Sequence, residues 1–259
     1  MPEHNDLALL RDVALSAGEI ASGYFGGVYT TQHKPDDAGP VTEADLAVNR
    51  MLEDRLRAAR PDYGWLSEET EDGAARLGAE RVFIVDPIDG TRNFIEGGQT
   101  WAHSLAVAER GRVVAAVVYL PMLKRLFAAS AGQGATLNDA PLKASTRRDL
   151  RGATVLSARP LMEPRFWKGG AAPEFERVYR PSLAYRLALV AQGRYDAMLT
   201  LRDSWEWDIA AGALLLEEAG ATVSDRSGAP LVFNNARPLL PGVVAAGSGV
   251  YGALQGALA

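Results

Sequence analysis

The spacing of apolar positions along the chain divides it into a helical opening, a block of strands and an alternating second half. Leu7, Leu10, Val13, Ala17, Ile20 and Tyr24 recur at three- and four-residue steps, predicting an amphipathic helix that starts near Asn5. Leu46, Leu52 and Leu56 form a second stripe behind Thr42 as N-cap, predicting a helix that ends before Pro61. The intervening "TQHKPDDAGP" (31–40) mixes prolines, glycine and charge and reads as an exposed, mobile loop. The period then shortens. "RVFIV" (81–85), "SLAVAE" (104–109), "VVAAVVYL" (113–120) and "RLFAAS" (125–130) are strand-like, with "RGR" as a hairpin turn between two of them. Residues 1–150 are thus expected to place two helices on a largely antiparallel sheet. In residues 151–259 strand and helix alternate. "ATVLSAR" (153–159) is a strand, "LAYRLALVAQGRYDAML" a helix stopped at Gly193 and then a strand, and "DIAAGALLLEEAGATVSD" a helix closed by Gly220 and then a strand. "PGVVAAG" (241–247) is a last buried strand. The expected class is layered α/β, with an antiparallel-rich first half and a smaller mixed second half.

Composition narrows the function. The 259 residues are 47% hydrophobic and 23% charged, ordinary values for a globular chain with a sizeable core. No apolar run approaches the roughly 20 residues that span a bilayer. The start "MPEHNDLALLRD" is acidic and broken by polar residues, unlike a secretory signal, so a cytoplasmic enzyme is expected. The absence of cysteine excludes disulfides and thiolate metal sites. A net charge of −5 weighs against a membrane surface or a nucleic-acid polymer as partner. A small phosphorylated metabolite stays open if a metal supplies local positive charge.

The chemistry concentrates in "VFIVDPIDGTRNFIEG" (82–97). Asp86 ends an apolar strand, Pro87 forbids continued pairing there, and Asp89 stands three residues on, so both carboxylates can meet one cation. Hard oxygen ligands of this kind suit Mg²⁺. Gly90, Thr91 and Arg92 open a short helix whose free N–H groups would face an anion. An Asp-Pro turn with a capping aspartate is the competing structural reading. Elsewhere Glu68 and Glu69 end a short apolar stretch, Asp45 stands in capping-box position behind Thr42, and Asp208 begins a helix between tryptophans. Solvated glutamates and two N-caps are the plain alternatives for these three.

The four segments "TEAD", "SEET", "DPIDGTRNF" and "WDIAAG", in this order over roughly residues 5–247, closely resemble the inositol monophosphatase family of Mg²⁺-dependent phosphatases. The resemblance implies a layered αβαβα sugar-phosphatase fold, commonly a homodimer. It implies hydrolysis of a small soluble phosphate ester by metal-activated water, with two or three Mg²⁺ per site and Mn²⁺ able to substitute. Glu68, Asp86, the Ile88 carbonyl, Asp89 and Asp208 would hold the metals, with Asp86 bridging two ions. Asp45 and Thr91 would orient and deprotonate the water, with Glu68 completing the catalytic group. Gly90, Thr91 and Arg92 would receive the phosphate, Lys34 matches an active-site loop lysine, and Asp208 and Arg186 would also face the substrate. His4, His33 and His103 show no ligand spacing and read as loop or packing residues. Trp65, Trp101, Trp205 and Trp207 read as core and rim packing.

For the substrate, inositol-specific members place an acid seven residues before the metal-binding aspartate, and Leu201 stands there instead. "PSLAYRLALVAQG" resembles the bisphosphate nucleotidases, with Arg186 able to fork onto a second phosphate or to form a surface salt bridge. Asn93, by contrast, is typical of the inositol branch. The order expected is a 3′-phosphonucleotide such as adenosine 3′,5′-bisphosphate first, then inositol 1- or 4-phosphate or another sugar phosphate. A noncatalytic RNA- or protein-binding regulator on the same fold comes last, because the metal positions are retained.

Overall fold

The Asn5 side chain accepts a hydrogen bond from the Ala8 amide and starts helix α1 (Asp6–Tyr24), where the apolar spacing predicts it. The computed structural model describes residues 5–34 and 39–259. Helix α2 (Glu43–Ala59) begins in a complete capping box between Thr42 and Asp45. α1 and α2 bury Leu10, Val13, Val48, Leu52 and Leu56 against one face of a seven-stranded sheet. Its strands run in the order Gly64–Ser67, Arg81–Asp89, Ala102–Glu109, Arg112–Leu120, Arg125–Ser130, Ala135–Leu137, Ala140–Pro141. The first pair is parallel and the rest are antiparallel. The predicted hairpin turn is Arg110-Gly111, both at positive φ, the two-residue geometry whose twist matches its strands.

These strands read as continuous apolar runs because both sheet faces are covered. Phe83, Val85, Leu105 and Val107 face α1 and α2, while Val82, Ile84, Ala106 and Ala108 face the opposite core. That core is filled by two helices, both drawn from the second half of the chain. A short helix α3 (Thr91–Ile95) precedes them; they are α4 (Leu183–Ala191) and α5 (Glu206–Glu218). Their far side meets a five-stranded mixed sheet ordered Glu176–Val178, Thr154–Leu156, Ala197–Thr200, Val243–Gly247, Ala221–Ser224. Helix α6 (Ser248–Ala257) closes the last face, with Val250 and Leu254 packed beside Val155, Leu199 and Val244. The layers are helix, sheet, helix, sheet, helix, the arrangement the resemblance implied.

Three local expectations change. Within 31–40 the described residues are not all loop: Thr31–His33 pairs antiparallel with Pro40–Thr42 and sets the approach to the α2 cap. The mobility expected there falls partly on residues 35–38, which lie outside the described residues, as does His4. The strand carrying Asp86 does not end at Asp86. Asp86 pairs with Ser104 and the next pair is Asp89 with Ala102, so three steps on one strand oppose two on the other. This is a bulge, and Pro87 falls where the ladder is interrupted and needs no donor. Finally, α6 was not foreseen. Glycines at 249, 252 and 256 weaken helix propensity, and the apolar i, i+4 pair Val250 and Leu254 in the core overrides it.

Candidate active site

The bulge aims two carboxylates at one point, and α5 brings the third. One oxygen each from Asp86, Asp89 and Asp208 lie within 4.8 Å of one another. Gly90 turns the chain out of the bulge with φ 98°, a conformation that favours glycine, and caps α3. Asp208 lies in the first turn of α5, and the Ser104 hydroxyl donates 2.8 Å to the carbonyl of Trp207 just before it. Asp89 is held at the start of α4: the Ser182 hydroxyl donates to it at 2.7 Å and the Ala184 amide at 2.6 Å. One carboxylate of the cluster thus caps a helix from the other half of the chain.

Burial pushes Asp86 and Asp208 well above the usual carboxylate range, and their carboxylate neighbours add to it. Asp89 is also raised by burial, against the lowering pull of Ser182, Ala184 and Arg186. Among the described residues no cation lies within 4.0 Å of these three side chains. Asp86 Oδ1 is buried with no hydrogen-bond partner. A buried, unpartnered acceptor in an all-oxygen cluster of like charges fits a hard divalent cation, which would supply the missing charge and bond.

Asp45 satisfies both of its sequence readings. Its Oδ2 accepts from Thr42 N at 2.8 Å and from the Thr42 hydroxyl, completing the cap, while its Oδ1 accepts from the Thr91 hydroxyl at 3.1 Å. Thr91 Oγ1 also lies 3.0 Å from the Ile88 carbonyl, and its single hydrogen serves one of these acceptors at a time. Burial raises the Asp45 carboxyl. Glu68 reaches the cluster from the neighbouring strand end, where its charge helps raise Asp86. Lys34 does not stand free for substrate: Nζ bridges Glu68 at 2.7 Å and Glu69 at 2.6 Å. Burial and the Glu68 charge together push Glu69 up to about 7.

The carboxylates form the base of an open cleft of about 400 Å³, with Gly90, Thr91 and the exposed Arg92 on one side. The opposite wall holds Tyr179, Arg186, Arg202, Asp203 and Trp205. Trp205 is 40% exposed and stacks on Trp207, with centroids 4.8 Å apart and planes at 10°. The rim-packing reading holds for this pair, and Trp101 is core. Arg186 is buried, with Nε donating 3.3 Å to the Ser182 carbonyl and its guanidinium over the Tyr179 ring. Ser182, Tyr179 and Arg202 escaped the sequence reading. The signal for Ser182 was a Pro-Ser pair ahead of an apolar helical run; the other two carry none that a single sequence shows.

A family model described as "Inositol monophosphatase family" matches residues 4–257. The chain belongs to the inositol monophosphatase family. It is 36% identical over 253 residues to an inositol-1-monophosphatase of Rhizobium meliloti, covering 93% of this chain and 91% of that protein. It is 38% identical over 229 residues to the Nus factor SuhB of Pseudomonas aeruginosa, covering 83% of each. Among solved structures, the extragenic suppressor protein suhB of Bartonella henselae superposes with TM-score 0.80 at 31% identity, covering 96% of both chains. A Thermotoga maritima IMPase does so with TM-score 0.80 at 28% identity, over 97% of this chain and 96% of that one. Family membership makes the protein a metal-dependent phosphoric monoester hydrolase, and a cluster of three acidic side chains, Asp86, Asp89 and Asp208, lines its cleft. No described helix is long and apolar enough to cross a membrane.

Proposed function

We propose that the enzyme is a Mg²⁺-dependent phosphatase of inositol monophosphates, acting through Glu68, Asp86, the Ile88 carbonyl, Asp89 and Asp208 as metal ligands. When bound, the cation supplies positive charge against the phosphoryl oxygens and makes water easier to deprotonate. The chain's own residues do the rest. Gly90, Thr91 and Arg92 at the start of α3 hold the phosphate of the ester. The Thr91 hydroxyl receives a hydrogen bond from the attacking water while giving its own hydrogen to Asp45 Oδ1, so the water's proton ends on Asp45. Water oxygen bonds to phosphorus, the ester P–O bond breaks, the departing alkoxide takes a proton from solvent water in the open cleft and leaves as the alcohol, and Asp45 returns its proton to solvent.

The cleft wall carries the choice of inositol over nucleotide. Leu201, seven residues before Asp208, packs against the core beneath α6, whereas Asp203 two residues on lines the cleft; Arg226 holds its Oδ1 at 2.8 Å, and Oδ2 is the oxygen that would accept from ring hydroxyls. The similarity to the inositol-1-monophosphatase of Rhizobium meliloti points the same way. The exposed face of Trp205 supports the second reading, a nucleoside 3′-phosphate whose base stacks on it. The test is phosphate release with Mg²⁺ from inositol 1-phosphate and adenosine 3′,5′-bisphosphate. Inositol 1-phosphate should be favoured by about tenfold or more in kcat/KM, and the reverse ranking overturns the proposal. Absence of Mg²⁺-dependent release from either would favour the regulatory role that the name of the SuhB relatives suggests. A homodimer in the cytoplasm accompanies the proposal, its stoichiometry to be checked by light scattering.

A further inference from the structure

Two buried polar side chains stand side by side on Ala102–Glu109, opposite the bulge, and belong to none of the sequence motifs. His103 is fully buried, edge-on to Trp101 with ring centroids 5.6 Å apart. Its Nδ1 meets the Pro87 carbonyl, which the bulge leaves out of the strand register. A carbonyl brings no hydrogen, so Nδ1 donates and the ring orientation is fixed. Burial holds the ring below its usual titration range, at about 4, so it is neutral near pH 7. Ser104 points to the other sheet face, where its hydroxyl donates 2.8 Å to the Trp207 carbonyl. The first bond grips the backbone between Asp86 and Ile88. The second grips it immediately before Asp208. Two adjacent residues of one rigid strand therefore hold the two backbone segments that deliver carboxylates from opposite halves of the chain.

We propose that His103 and Ser104 are positioning residues that set the separation between the Asp86–Asp89 pair and Asp208, and through it the affinity for the divalent cation. This rests on the carboxylate cluster being the cation site. Neither side chain touches cation or substrate. Outer groups that orient ligands typically govern cation affinity by about 10- to 100-fold.

The test is a calorimetric titration of the folded, substrate-free protein with Mg²⁺. Ser104→Ala and His103→Leu should each raise the Mg²⁺ Kd by about tenfold or more. Ser104→Thr and His103→Asn, whose side-chain amide lies near the place of Nδ1, should recover most of the loss. In turnover, the Mg²⁺ concentration for half-maximal rate should rise, while KM for the ester stays near its parent value. A purely structural role would lower the melting temperature and leave the Mg²⁺ Kd of the folded protein within about twofold of the parent; that result overturns the proposal. If His103→Leu does not fold, Ser104→Ala decides. Asp86→Asn, titrated alongside, separates the two premises: if it binds Mg²⁺ as the parent does, the cluster is not the cation site, and if it alone loses binding, the cluster stands and the positioning role fails.

Discussion

On one side of the cleft Asp86 and Asp89 stand on a buried, bulged strand that is hydrogen-bonded to a neighbouring strand along each edge; on the other, Tyr179, Arg202 and Trp205 stand on segments partly open to solvent. The first wall is held from beneath by His103, from beside by Ser182, and next to it the Thr42 cap fixes Asp45. The second wall is more open: Tyr179 is 52% exposed, and Trp205, 40% exposed, stacks on Trp207. Chemistry that must hold charges of one sign together needs over-determined geometry, whereas a surface that meets a variable alcohol does not. The two walls should therefore fail in different ways.

The sharpest break falls on the strand wall. Asp86→Asn should abolish turnover of every ester while the fold survives, because a carboxylate central to the cluster is lost. Burial and three neighbouring carboxylates raise the Asp86 carboxyl, so removing its charge relieves repulsion in the cation-free protein. The thermal midpoint without Mg²⁺ should equal or exceed that of the parent. A folded variant with near-parental rates at saturating Mg²⁺ would remove Asp86 from the mechanism.

The next effect is smaller and still blind to the alcohol. Asp45→Asn leaves Thr91 without its proton acceptor and should lower kcat by about 10²- to 10⁴-fold, the usual range for a general base. Thr91→Val should cost a comparable factor. The double variant should cost little more than either, because the two groups act as one relay. Multiplicative losses in single-turnover assays would show that Asp45 and Thr91 act separately.

Much of the strand wall was legible in the sequence because its determinants are local. Thr42 and Asp45 stand at cap spacing, and Asp86, Pro87, Asp89 and Gly90 carry a turn and two hard ligands within five residues. What escaped depends on partners distant along the chain. The strand was expected to stop at Asp86, and the bulge exists only against Ala102–Ser104, where His103 looked like mere packing. The second wall was harder. Counting seven residues back from Asp208 selects Leu201, but an irregular turn at 201–203 packs that half-buried side chain against the core and leaves Asp203 on the cleft. Lys34, which the resemblance places in an active-site loop, follows a short hairpin strand, and its ion pairs with Glu68 and Glu69 depend on segments that the local sequence does not connect.

On the rim the loss should depend on what the ester carries. Trp205→Ala removes the exposed aromatic face and should lower kcat/KM for an ester whose aromatic base can lie on it, such as adenosine 3′,5′-bisphosphate, by about tenfold, the scale of a good aromatic pair. Glycerol 2-phosphate, an ester without a ring, should lose much less. Equal losses on both would mean that Trp205 supports the wall itself, and the contrast between the two walls would fail at its clearest point.

The smallest effect tests the residue that belongs to both walls. Arg186 comes from α4, with the second half of the chain; burial pushes its pKa below the ordinary arginine value, while Asp89, Tyr179 and Asp208 favour its charge. Its Nε is committed to the Ser182 carbonyl and its guanidinium lies 5.7 Å from the centre of the Tyr179 ring. So placed, it is a counter-charge for the carboxylates before it is a clasp for a second phosphate. Arg186→Leu keeps much of the buried volume and removes one positive charge beside the cation ligands. Mg²⁺ should then bind a few-fold more tightly, since a like charge has left its surroundings. The anionic ester should bind a few-fold more weakly, by a similar factor for inositol 1-phosphate and for adenosine 3′,5′-bisphosphate. Paired measurements of the Mg²⁺ Kd and of kcat/KM on both esters decide it. A loss confined to the bisphosphate, with Mg²⁺ affinity unchanged, would make Arg186 a reader of the second phosphate and put the nucleotide ahead of inositol.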